Sequence, residues 1–163
     1  MENSKLPNRK SYRLEDYDYS SIGYYFITIN SKDKRNIFGE IKEEVMYPNK
    51  LGEIIQEEWE RAGEIRKNIK LHEYVVMPNH FHAIVEICYS ISKIDVSNRF
   101  LSANSLGAIV GSFKGAVTRK NNILLGNKKC VWHARFYDRI IRDDRELMNV
   151  KNYIENNVKN WKK

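Results

Sequence analysis

Two histidines flank one phenylalanine in the stretch VVMPNHFHAIVEI, residues 75–87. Side chains alternate along a strand, so His80 and His82 share one face while Phe81 takes the other. Two imidazoles on one rigid face come within chelating reach of a single cation. An arbitrary His-x-His is more often ordinary, with His80 a turn residue and His82 a satisfied polar side chain at a sheet surface. A third donor decides between the two readings. Two imidazoles leave most of an octahedral shell open, and a cation that works on phosphate needs places for phosphate oxygens and water. The missing protein donor should therefore be an oxygen. Near the carboxy terminus NYIENNVKNW, residues 152–161, sets Tyr153 and Asn157 four apart. On a helix these stand about 6 Å apart on one face. A ligand and a nucleophile fit that face. So does plain packing, with Leu147, Val150, Ile154, Val158 and Trp161 turned inward and Tyr153 beside them.

The elements that must carry these groups follow from local pattern. Tyr24 to Asn30 is β-branched and aromatic after Gly23, which reads as a strand, and Asn36 to Glu40 offers a short edge piece. Leu51 to Lys67 spaces Ile54, Ile55, Trp59, Ala62 and Ile65 at helical intervals. Leu71 to Met77 and His80 to Ile87 are apolar runs broken by Pro78-Asn79, a tight antiparallel pair. Asn104 to Asn121 is a second helix with Asn104 or Ser105 as its cap, and Gly107, Gly111 and Gly115 line one of its faces for close packing on the sheet. Trp132 to Ile141 reads as a further strand. Asp143 then caps a last helix, Glu146 completes a capping box, and the helix is expected to reach Trp161. The order predicts an α+β ferredoxin-like sandwich, the split βαββαβ arrangement with an added C-terminal helix.

Composition sets the outer limits. A chain of 163 residues, 42% hydrophobic and 30% charged, supports one core and one domain over residues 1–163, of which about residues 1–12 form a basic arm. No apolar run approaches the roughly 20 residues of a membrane-spanning helix, and the amino terminus has no apolar signal core, so a cytoplasmic protein away from membranes is expected. Cys88 and Cys130 fit free thiols in a reducing compartment and exclude a clustered-cysteine zinc site. A net charge of +7 favours a polyanionic partner.

Several stretches together carry a resemblance: YYFITIN, FGEI at residues 38–41, LGEIIQEEW, YVVMPNHFHAIVEI, SLGAIVGSFKGAVT, VWHARFYDRIIRDDREL and YIENN. Over nearly its whole length the chain resembles the HUH single-tyrosine transposases of bacterial insertion sequences, and most of all their REP-associated tyrosine transposase branch. Val158 stands where that family usually carries proline, and His133 where it usually carries glutamine.

The resemblance implies that His80 and His82 bind a divalent metal, Mg²⁺ or Mn²⁺, that Asn157 completes the site, and that Tyr153 is the nucleophile. It implies cleavage and rejoining of hairpin-bearing single-stranded DNA through a 5′-phosphotyrosine intermediate, by a monomer or homodimer in the bacterial cytoplasm, associated with the nucleoid. No G-x-x-x-x-G-K-[ST] loop is present, in keeping with strand transfer that needs no nucleotide hydrolysis. Arg9, Lys10, Arg13, Lys114, Arg119, Lys120, Arg135, Arg139 and Arg142 are candidates to track a DNA backbone. Two rivals share the same fold: a noncatalytic single-stranded nucleic-acid-binding module, indifferent to metal and to Tyr153, and a domesticated repeat-processing nuclease.

Overall fold

The computed structural model describes residues 17–89 and 104–162, so Arg9, Lys10, Arg13 and the basic arm lie outside the described residues. The chain runs β1 (Gly23–Asn30), β2 (Gly39–Lys42), β3 (Val45–Pro48), α1 (Lys50–Ile65), β4 (Ile69–Val76), β5 (His80–Ile87), α2 (Leu106–Leu125), β6 (Tyr137–Ile141) and α3 (Asp144–Glu155). Strands β4-β5-β1-β6 form one antiparallel sheet in that spatial order, while among the described residues β2 and β3 pair with each other alone. With that hairpin set aside, the order is βαββαβ plus α3, the ferredoxin-like arrangement expected from the sequence.

Caps fix where the helices begin. The Asn49 side chain accepts from the Gly52 N–H and Ser105 from the Ala108 N–H, each satisfying a donor that the first turn leaves free. Asp143 accepts from the Glu146 N–H at 2.7 Å, and Glu146 reaches back to accept from the Arg142 N–H at 2.9 Å. Gly126 closes α2 in the left-handed region at φ 60°.

Alternation gives the sheet two different faces. Tyr25, Ile27 and Ile29 of β1 and Phe81, Ala83, Val85 and Ile87 of β5 point toward α1 and α2 and are wholly buried with Trp59, Ile109 and Val110. The opposite face holds Ile84 and Ile141 under Val150 and Ile154 of α3, a much smaller cluster. Cys88 and Cys130 are exposed, free thiols. No helix among the described residues is long and apolar enough to cross a membrane.

Four details depart from expectation. The short edge piece is displaced to Gly39–Lys42, and it turns back through Glu43 and Glu44, both at positive φ, to pair with β3. Strand β6 starts at Tyr137, because the His133 and Ala134 carbonyls accept from the Lys114 ammonium at 2.7 and 3.2 Å and residues 133–136 form a loop; Trp132 makes only an isolated bridge to Ser31. Helix α3 stops at Glu155 rather than reaching Trp161. Asn156 there turns its side-chain amide back to the Asn152 carbonyl at 2.8 Å, the local competition that makes asparagine a weak helix former. Finally, a Cβ on Gly111 or Gly115 would meet nothing within 4 Å, so these glycines do not serve close packing on the sheet.

Candidate active site

The site begins with the turn between β4 and β5. The Met77 N–H bonds to the His80 carbonyl at 2.8 Å and closes a two-residue connection, Pro78-Asn79. The carbonyls of those two residues accept from Phe38 and Ser31, at 3.0 and 2.9 Å, which ties the turn to neighbouring chain. The Asn79 side chain is held at both ends: its amide nitrogen donates to the Lys34 carbonyl at 3.3 Å, and its oxygen lies 2.6 Å from His80 Nδ1. An amide oxygen can only accept, so Nδ1 of His80 carries the proton and the ring's lone pair lies on Nε2. The Met-Pro-Asn break thus turns the chain and also sets the tautomer of the first histidine.

Register places the second. His82 stands opposite Thr28 of β1 and Val75 of β4. Its Nδ1 lies 2.8 Å from Thr28 Oγ1, and its Nε2 lies 3.4 Å from the Tyr153 hydroxyl. Phe26 stacks on the His82 ring at 5.2 Å and meets the Tyr153 ring edge-on at 6.0 Å. The two imidazole centroids are 4.5 Å apart, and Trp161 covers His80 from 5.9 Å. Only 5% of His82 is exposed, whereas Tyr153 remains 51% exposed.

Burial holds both imidazoles neutral. It depresses the His82 pKa to about 3, with the neighbouring His80 adding to the fall and the Ile27 backbone opposing it. Burial likewise lowers the His80 pKa, opposed by a hydrogen bond with the Asn157 side chain. That bond brings Asn157 to the site even though it lies beyond the end of α3. Among the described residues no group of three His, Cys, Asp or Glu side chains is placed to hold a metal. The donors that converge are two neutral imidazoles and an amide. They fit a divalent cation whose remaining positions stay open, and being neutral they leave its charge uncompensated.

The basic candidates separate by position. Arg139 and Arg142 line an open groove of about 650 Å³ beside Tyr153. The Lys114 ammonium is engaged with the loop before β6 and its pKa is lowered by burial, and Lys120 pairs with Glu57 and Glu58 of α1 at 2.6 and 3.2 Å. Arg119 lines a cavity between α1 and α2, across the sheet from Tyr153. Arg135 is exposed in the loop, with its N–H bonded to His133 Nδ1 at 3.2 Å. Thr28, Asn79 and Phe26 were not singled out from sequence. Asn79 could have been, from its place directly before His80 in a turn; Thr28 and Phe26 are revealed only by strand register.

Comparison with known proteins gives the chain a lineage. No protein-family model matches it. An uncharacterized protein of Haemophilus influenzae is 34% identical over 171 residues, covering 98% of this chain and 93% of that protein. This chain belongs to that protein's family. Among solved structures, a REP-associated tyrosine transposase bound to a REP hairpin superposes with a TM-score of 0.63, at 16% identity, over 93% of this chain and 79% of the other. This chain therefore shares its fold with that transposase.

Proposed function

We propose that this protein is a metal-dependent tyrosine transposase that cleaves and rejoins hairpin-bearing single-stranded DNA. The observation that carries the reading is the Tyr153 hydroxyl, 3.4 Å from Nε2 of a histidine held neutral by burial and paired with a second neutral histidine. The hairpin-bound transposase of the same fold supports DNA as the substrate class. His80, His82 and Asn157 would hold Mg²⁺ or Mn²⁺, which when bound polarises the phosphate under attack. The chain's own groups do the rest. Thr28 and Asn79 orient the imidazoles, and Phe26 buttresses both His82 and Tyr153. The Tyr153 oxygen forms the new bond to phosphorus as the bond to the 3′ oxygen breaks; the phenol gives up its proton to solvent, and the departing oxygen takes one up. The phosphodiester exchange conserves bond energy, so a second 3′-hydroxyl reverses it and joins strands.

The test is incubation with hairpin-bearing single-stranded DNA and Mg²⁺ or Mn²⁺, followed by a denaturing gel. A label 3′ of the break should travel with the wild-type protein. The adduct should vanish in Tyr153→Phe, in His82→Ala and with chelator. Tight DNA binding without any adduct would favour the noncatalytic module, and an adduct that survives Tyr153→Phe would overturn the choice of nucleophile.

A further inference from the structure

The groove beside Tyr153 contains groups that the proposed chemistry leaves unused. It lies between the end of β6 and the first turns of α3, with Phe26 and Arg139 on the sheet side and Arg142, Arg145, Asn149 and Tyr153 around it. Its two carboxylates already have tasks. Asp143 caps α3, while Glu146 accepts from the Arg142 N–H and pairs with the Arg139 guanidinium at 2.5 Å. Arg139 is thereby held in place with its side chain still 65% exposed. No ion pair among the described residues engages the guanidiniums of Arg142 or Arg145. On α3, Arg145, Asn149 and Tyr153 follow at four-residue intervals, so a guanidinium, an amide and the phenol form one ridge along the groove. The Tyr153 ring stands between that groove and the His82 ring, 5.4 Å away.

Resting on the reading of Tyr153 as the nucleophile, the geometry points to this groove as the seat of the nucleotides 3′ of the break. Arg142 and Arg145 take backbone phosphates, and Asn149 contacts the first base. The side follows from the direction of attack. An in-line displacement puts the departing 3′ oxygen on the far side of phosphorus from the Tyr153 oxygen. The upstream segment therefore leaves away from Tyr153, while the downstream segment becomes covalently joined to the Tyr153 oxygen through its 5′-phosphate and so must lie within one phosphate's reach of the ring that lines the groove. Arginine suits phosphate through its fork of donors, and the Asn149 amide offers a donor beside an acceptor, the pattern that a base edge can match.

Binding separates the groove from the chemistry. In a Tyr153→Phe background with chelator, a fluorescent pool of single-stranded DNA of random sequence is titrated across a range of salt. Adding Arg142→Ala and Arg145→Ala together should weaken binding about ten-fold and lower the slope of log affinity against log salt by about 1.4, about 0.7 for each phosphate contact on a single strand. Arg61→Ala, on α1 across the sheet, should leave the slope unchanged. On a DNA that forms the adduct, an abasic site just 3′ of the break should lower the yield in wild type but add nothing in Asn149→Ala, whereas an abasic site on the 5′ side should act independently of Asn149. A double variant with the parental slope, or equal coupling of Asn149 to both flanks, overturns the groove and leaves the nucleophile standing. A parent protein that binds no single-stranded DNA removes both.

Discussion

The two faces of the central sheet are built from alternate residues of the same strands, yet they do opposite work. Toward α1 and α2, β5 presents Phe81, Ala83, Val85 and Ile87, all wholly buried in a continuous apolar layer. Toward α3 the same strand presents His80, His82 and Ile84, and the apolar cluster there contains only Ile84, Ile141, Val150 and Ile154 among its buried members. The first face supplies most of the burial that holds the fold. The second uses that rigidity to place polar groups where water is partly excluded, and it is covered by one helix that also carries the exposed Tyr153. The apolar core and the proposed chemistry are thus separated by a single residue step along β5.

The contrast breaks most visibly at adjacent positions. Phe81→Ala should cost about 3–5 kcal/mol of stability, the usual penalty for emptying a fully buried aromatic site, read by denaturant unfolding. His82→Ala, one residue away, should cost far less while abolishing the DNA adduct; equal losses of stability would erase the distinction between the faces.

Ile154→Ala should cost about 2–4 kcal/mol and act locally. Hydrogen exchange should speed up through residues 144–155 while α1 and α2 keep their protection. Uniform acceleration would mean that the α3 layer is no separate unit.

The third effect is acidity. In chelated protein His82 stays neutral down to about pH 3, whereas in the unfolded chain it takes up a proton below about 6.5. The unfolded state then binds more protons between these values, so stability should fall as pH drops through that window, by on the order of 1 kcal/mol per unit. His82→Ala should flatten the slope; an unchanged slope would assign it to other groups.

The smallest change concerns α2. Gly111→Ala and Gly115→Ala should each stabilise by about 0.5–1 kcal/mol, since a Cβ at either meets open space within a helix. If they also weaken DNA binding, a backbone approaches that face.

Much of this was legible in the order of residues. The runs 24–30 and 80–87, the periodicity of the helices and the Asp143–Glu146 cap predicted every element of the ferredoxin-like core, because each is governed by neighbours a few residues away. The pairing of β2 with β3 and the loop before β6 were less legible: the first turns on two glutamates at positive φ, the second on a lysine reaching across from α2. At the site, the alternation that aligns His80 with His82 and the four-residue step from Tyr153 to Asn157 were visible in sequence; the ridge from Arg145 through Asn149 was not singled out there. What sequence could not show is which long-range neighbour completes each group. Thr28 meets His82 only through the β1–β5 register, Tyr153 reaches Nε2 only because Val150 and Ile154 seat α3 on the sheet, and Asn157 reaches His80 from beyond the point where Asn156 ends the helix. Local periodicity fixes the direction of a side chain within its own element. Its partner across the fold depends on how the elements dock, which is set by burial summed over the whole sheet.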